Sequence, residues 1–356
     1  MNLLEPYNLG PLTLKNRLVM APLTRNRAVG RVPQAVHADY YAQRADAGLI
    51  ISEATQIAPL GQGYPDTPGI HTNEQTAAWK TVTDAVHASS GVIYLQLWHV
   101  GRVSHSSYHG GALPVSASAV RFEGNIMYPD FSRGPSDESP RALETDEIRG
   151  VVEQYRRAAE NASRAGFDGV EVHAANGYLL EQFLRTGTNQ REDNYGGSVE
   201  NRTRLLKEVT EAVLSVWDAD RVGVRLSPNN APGSRGDANP TETYRYAAQM
   251  LNAYNLAYLH TVEAEVGDTK ASDLLRDAYD GTLIVAGGLD QDSGEKMVRE
   301  NKADLVAYGR LFIANPDLPA RFKANAPLNA WDDKTFYGGG ERGYTDYPFL
   351  KEVQPV

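Results

Sequence analysis

The chain has 356 residues, 35 basic against 45 acidic for a net charge of −10, 41% hydrophobic residues and no cysteine. That hydrophobic share is enough for a sizeable core, and the acidic balance argues against a binder that presents a basic face to nucleic acid. The missing cysteine rules out disulfides, iron–sulfur clusters, thiolate zinc sites and a cysteine nucleophile. In chain order, strands are predicted over residues 17–21, 49–53, 92–97, 169–173, 222–226, 257–262, 283–286 and 304–308. Most are continuous apolar runs, the pattern of parallel strands covered on both faces. Helical patterns fall between them, over roughly 34–46, 73–88, 145–165, 198–217, 269–279 and 291–301. In the third of these, Ile148, Val151, Tyr155, Ala158 and Ala162 recur on one face, and Thr145 is read as the N-cap. Asn239-Pro240 and Asn315-Pro316 each place a capping side chain before a proline at a first helical position.

Eight strands, each followed by a helix, close most simply as an α/β fold of the (β/α)8 TIM barrel type, with residues 1–356 as a single domain. A doubly wound open sheet is the structural competitor. The one long irregular stretch, 101–143, is rich in Gly, Ser and Pro and reads as a lid-like loop after strand three. No apolar stretch approaches the ~18 residues of a membrane span. The start, Met1 to Pro6, lacks the charged and apolar regions of a signal peptide, so a cytoplasmic protein is expected.

In such a barrel, function gathers where strands end. Gly287 and Gly288 follow strand seven, and Gly309 and Arg310 follow strand eight. Glycine lets backbone approach phosphate oxygens and arginine supplies a charged fork, so this set suits a phosphate. No G-x-x-x-x-G-K-[ST] loop and no G-x-G-x-x-G after a strand competes with it. After strand four come His173, Asn176 and Tyr178. A histidine and an amide together can hold a carbonyl oxygen, and a phenol can deliver a proton. Other features carry less. His105 and His109 lie in a Gly/Ser-rich loop without an adjacent carboxylate cluster, so no metal site is expected. Asp137-Glu138 and Asp332-Asp333 read as solvated loop charges, and Gly338-Gly339-Gly340 as a tight turn at a pocket rim. Lys207 and Lys270 lie outside the predicted strands, which disfavours an imine-forming barrel.

Ala21-Pro22-Leu23-Thr24-Arg25, Gln96-Leu97-Trp98, His173-Ala174-Ala175-Asn176-Gly177-Tyr178-Leu179 and Asn194-Tyr195-Gly196-Gly197-Ser198 strongly resemble the Old Yellow Enzyme family of FMN-dependent ene-reductases. So do Ala307-Tyr308-Gly309-Arg310, Asn315-Pro316-Asp317-Leu318 and Gly343-Tyr344-Thr345-Asp346-Tyr347-Pro348. The resemblance implies a (β/α)8 barrel, FMN as cofactor and NADPH or NADH as reductant. It implies that Pro22, Leu23, Thr24 and Ala54 line the flavin, that Gln96 bonds its pyrimidine edge and that Arg225 favours the anionic reduced form. Gly287, Gly288, Gly309 and Arg310 would hold the FMN phosphate. His173 and Asn176 would bind the substrate oxygen, Tyr178 would donate the proton, and Tyr64, Trp98 and Tyr337 would shape the pocket. The segment 101–143 matches the family less well, and no residue is carried over from it. The implied partners are a small-molecule activated alkene and NAD(P)H, with no nucleic acid and no membrane, in a monomer or homodimer. Another FMN barrel oxidoreductase and a flavin-binding sensor without turnover are the alternatives.

Overall fold

A computed structural model describes residues 1–228 and 236–350. Eight parallel strands form its centre: β1 (Leu18–Met20), β2 (Leu49–Ile51), β3 (Ile93–Trp98), β4 (Gly169–Ala174), β5 (Val222–Leu226), β6 (Tyr258–Val262), β7 (Leu283–Ala286) and β8 (Leu305–Tyr308). Each pairs with the next, and β8 returns to β1, so the sheet closes and the open-sheet alternative falls. Period-two alternation sorts the side chains. Val19, Leu49, Ile51, Ile284 and Leu305 share the interior cluster, while Leu18, Ile50, Val170, Val172 and Val224 pack with the helices. Interior space is matched residue by residue: a Cβ on Gly169 would sit 2.3 Å from the Tyr94 ring, and one on Gly223 would sit 2.2 Å from Tyr258. An antiparallel hairpin, Tyr7–Leu9 with Leu12–Leu14, adds Leu9 and Leu14 to the same cluster; the sequence reading did not anticipate it.

The outer helices are α1 (Ala35–Ala42), α2 (Asn73–Ala88), α3 (Thr145–Arg164), α4 (Leu179–Leu184), α5 (Val199–Leu214), α6 (Pro240–Asn252), α7 (Ala271–Arg276), α8 (Gln291–Arg299), α9 (Arg310–Ala314) and α10 (Leu318–Ala324). Asn239 caps α6 as expected, its Oδ1 accepting from the Glu242 N–H at 3.3 Å. Two other caps differ. The N-cap of α3 is Glu144, whose N–H donates to Glu147 Oε2 at 2.8 Å, because the Thr145 hydroxyl is drawn off to Asp193 at 2.7 Å. Asn315 closes α9, and α10 starts after Asp317; the Asn315 Oδ1 is taken by the Asn329 N–H at 2.7 Å. Among the described residues no helix is long and apolar enough to cross a membrane.

The stretch 101–143 is less irregular than expected. Asn125–Met127 and Arg133–Pro135 pair as an antiparallel hairpin, and Val115–Ser116 runs parallel to Arg141–Ala142. Of the pair read as solvated, Asp137 is exposed as expected, but Glu138 is not simply solvated. Glu138 accepts from the Ser106 N–H at 2.8 Å, and both carboxylates stand 3.4 Å from His105 Nε2. The loop is thereby fastened to itself, and no metal-binding group of three or more ligands occurs among the described residues.

Candidate active site

Two adjoining cavities open at the carboxyl ends of the strands and share Pro22, Leu23 and Arg310. The first, of about 470 Å³, is walled by Arg225 from β5, Gly287 and Gly288 after β7, and Gly309 after β8. Gly287 and Gly288 adopt φ of 128° and 71°, which side-chain-bearing residues rarely take. A Cβ on Gly288 would meet nothing within 4 Å, whereas one on Gly309 would lie 3.3 Å from Leu23 Cδ2. The exposed Arg310 guanidinium stands 5.9 Å over the Trp331 ring. Open glycine backbone beside a fixed cation is the donor set a phosphate monoester needs.

The second cavity, about 390 Å³, is lined by Thr24, Tyr64, Tyr178 and Tyr337. Asn176 and Gly177 take φ of 58° and 80°, a left-handed pair that reverses the chain after β4 and delivers Tyr178. The Asn176 N–H donates to Ser227 Oγ at 2.7 Å, fixing the turn. The Tyr178 and Tyr64 hydroxyls are hydrogen-bonded at 3.0 Å. The Tyr178 ring meets Trp98 edge-on at 5.0 Å and His173 edge-on at 5.1 Å, and Tyr64 stacks on Trp98 at 5.5 Å. Ala54 packs in the same small apolar cluster as Trp98. Burial raises the Tyr178 phenol well above its ordinary range, so it stays protonated at neutral pH. Burial, reinforced by the Arg225 charge, pushes His173 well below its ordinary value, so the imidazole is neutral. Its Nδ1 is buried without a partner among the described residues, and so is Arg225 Nε. A neutral imidazole and a guanidinium, each with a buried nitrogen left unpaired, fit a ligand better than a packed core.

The fold therefore gathers Pro22, Leu23, Thr24, Arg225, Gly287, Gly288, Gly309 and Arg310 around one cavity pair, with Tyr64, Tyr178 and Tyr337 above. Gln96 lies deeper and is spoken for on one side, its Nε2 donating to Glu171 Oε1 at 2.6 Å. Sequence reasoning missed the hairpin, which brings Asn125, Ile126, Met127 and Arg133 to the second cavity, and it missed Phe336. Tyr128-Pro129-Asp130 at the hairpin tip was the available signal, since Pro-Asp starts turns.

The sequence pattern of the NADH:flavin oxidoreductase / NADH oxidase family matches residues 2–329. The 12-oxophytodienoate reductase 1 of Oryza sativa subsp. japonica is 49% identical over 362 residues, covering 99% of this chain and 94% of the relative. The 12-oxophytodienoate reductase 2 of Arabidopsis thaliana is 44% identical over 364 residues, covering 99% and 96%. Morphinone reductase in complex with tetrahydroNAD superposes with a TM-score of 0.94 at 50% identity, covering 100% of both chains. An old yellow enzyme homologue from Zymomonas mobilis gives 0.94 at 43% identity, covering 98% of this chain and 100% of that one.

Proposed function

The chain belongs to the NADH:flavin oxidoreductase / NADH oxidase family, as an NAD(P)H-dependent flavin oxidoreductase of the Old Yellow Enzyme type, and from that premise we propose that it reduces the activated C=C bond of α,β-unsaturated aldehydes, ketones, imides or nitroalkenes. The observation that carries this reading is the adjacency of the two cavities. One offers a glycine and arginine cradle; the other sets a protonated phenol beside a neutral histidine. The reading takes residues 1–356 as one FMN-binding barrel unit, a cytoplasmic monomer or homodimer with NADPH or NADH as reductant.

FMN, when bound, supplies the hydride, taken from NAD(P)H, that the alkene Cβ receives. The remaining work falls to the chain. Gly287, Gly288, Gly309 and Arg310 hold the phosphate, and Pro22, Leu23, Thr24 and Ala54 flank the ring system. Gln96 offers its amide oxygen to the ring edge. The Arg225 guanidinium stabilises negative charge there. The N–H of His173 and the amide of Asn176 donate to the substrate oxygen and stabilise the charge that grows on it, which leaves Cβ electrophilic. Tyr178 holds the proton for Cα, and its raised pKa keeps that proton in place until the carbon becomes basic. Tyr64, Trp98 and Tyr337 confine the alkene above the floor and keep the reacting atoms within about 3–3.5 Å.

The test is an absorbance spectrum of the purified protein, followed anaerobically through addition of NADPH and then 2-cyclohexenone. Flavin bands that bleach with NADPH and return with the enone are expected. A colourless protein that FMN cannot reconstitute overturns the cofactor assignment, and bleaching without return overturns alkene reduction.

A further inference from the structure

Three interior side chains have no part in the reaction as derived: Glu171 on β4, His260 on β6 and the Nε2 face of Gln96 on β3. Glu171 and His260 have no exposed surface. The Glu171 carboxylate accepts from Gln96 Nε2 at 2.6 Å and faces His260 Nδ1 at 2.9 Å. Burying a carboxylate is costly unless it is paired, a cost that a leucine at the same place avoids. The group therefore calls for a role that apolar packing does not supply.

A carboxylate only accepts, so the Gln96 edge that faces it must be the NH2 group. That leaves the Gln96 Oε1 as the free atom, and no described residue donates to it. Arg225 stands between the two strands concerned, in register with His173 on one side and His260 on the other. Its charge is offset above all by Glu171. Burial alone would raise the Glu171 carboxyl, but His260, with Arg225 and Gln96, holds it below the usual range. Burial lowers His260 as well. At neutral pH the pair is a carboxylate with a neutral imidazole donating to it, and its net charge is −1.

We propose that Glu171, held by His260, is a positioning residue of the cofactor site: it locks the Gln96 amide with its oxygen toward the flavin and offsets the Arg225 charge that the flavin meets. This rests on the flavin reading above. An amide oxygen accepts from a ring N–H, whereas a flipped amide would set donor against donor. With the Glu171 charge gone, Arg225 is unbalanced and favours the reduced, negatively charged flavin.

The test compares holoenzymes by midpoint potential and by FMN dissociation constant, two readouts that packing defects alone do not move together. Glu171→Gln keeps an acceptor for Gln96 but removes the charge. It should raise the potential by a tenfold or greater change in the reduced-to-oxidised ratio, about 30 mV for a two-electron couple. Its FMN affinity should stay within about threefold, since the amide orientation persists. Glu171→Leu should weaken FMN about tenfold or more, because Gln96 then has no lock. His260→Asn keeps a donor at the Nδ1 position and should match the wild-type potential, whereas His260→Leu should not. If the Glu171 variants do not fold, the His260 pair decides the question. Wild-type potential and affinity in Glu171→Gln and His260→Leu overturn the inference while leaving the flavin reading intact. A wild-type protein that binds no FMN overturns the flavin reading and takes the lock with it.

Discussion

Arg225 and Gly309 reach the cavities from a barrel strand or the residue directly after one, with His173 on β4 against the Tyr178 ring, whereas Arg133, Phe336 and Tyr337 reach the same cavities from segments outside the barrel. The floor is held by a closed ladder in which every strand has two neighbours. The roof is held by side chains. Buried Arg25 donates to the carbonyls of Phe336 at 2.9 Å, Thr335 at 3.3 Å and Gly343 at 2.7 Å, and to the Tyr40 hydroxyl at 2.9 Å. Arg27 reaches the carbonyls of Gly340 and Thr335 at 2.9 and 3.0 Å, and Tyr344 stacks on Tyr40 at 3.9 Å. Irregular backbone has no ladder for its carbonyls, and guanidinium forks fill that need. The contrast teaches a division of labour. On the proposed reading, the groups that would hold reacting atoms stand on strands or in the turns directly after them, and the groups that would choose among substrates stand on a fastened but replaceable cover.

The largest effect should come from the floor. Tyr178→Phe is expected to slow alkene reduction by about 10²–10⁴-fold, the range for losing a positioned general acid. Flavin reduction by NAD(P)H, which needs no proton from Tyr178, should keep its rate in stopped-flow absorbance. Equal slowing of both half-reactions would remove the proton-donor role. Breaking the roof should act differently. Arg25→Met leaves several buried acceptors unpaired, with a cost on the order of 3–5 kcal/mol. The melting temperature should fall by roughly 5–10 °C, and proteolysis should begin within residues 331–347. If cleavage instead begins in the barrel helices, the clamp is holding the floor and not the roof.

The same contrast governs what could be read in advance. All eight strands were legible, because parallel strands covered on both faces leave continuous apolar runs. The floor residues were legible because each lies in such a run or directly after it. The roof was not. Asn125–Met127 and Arg133–Pro135 are only three residues each, too short for periodicity to register, and their partner is each other across a five-residue turn. Tyr337 could be named only through the family resemblance; Phe336, its neighbour, was not. The caps at Thr145 and Asn315 were misread for a related reason: Asp193 and Asn329, far away in sequence, claim those side chains. Likewise Glu138 looks solvated until Ser106 and His105 fold against it.

Glu53, after β2, lies in the seam between floor and roof and sharpens the comparison through pH. It is buried, with the Tyr41 hydroxyl donating to it at 3.3 Å and His37 Nε2 3.6 Å away. Burial raises its carboxyl from 4.5 to about 7. Between those values the folded chain keeps a proton that the unfolded chain releases, so stability falls as pH rises across that window. Glu53→Gln does not titrate. Its stability relative to wild type should therefore grow by about 3 kcal/mol from pH 4 to pH 8, at 1.36 kcal/mol per unit. Urea denaturation at the two pH values reads this directly. A constant difference would mean that Glu53 stays ionised and that Arg25 already balances it, making the seam an ion-paired joint.

The smallest effect should be at the outermost roof residue. Tyr337 is 46% exposed. The Arg133 guanidinium lies over its ring, 5.0 Å from the centroid, and both residues line the second cavity. An exposed cation–π contact contributes about 0.5–1 kcal/mol, so Tyr337→Ala should leave the fold unharmed. What it removes is a wall. KM for a bulky cyclic enone should rise about three- to tenfold with kcat nearly constant, as when binding common to ground and transition state is lost. Tyr337→Phe keeps the wall and should keep the KM. A small alkene that never reaches the ring should be indifferent to both changes. Were bulky and small substrates to respond alike, the roof would act as a solvent shield, and choice among alkenes would belong to Tyr64 in the same cavity, with Trp98 stacked against it.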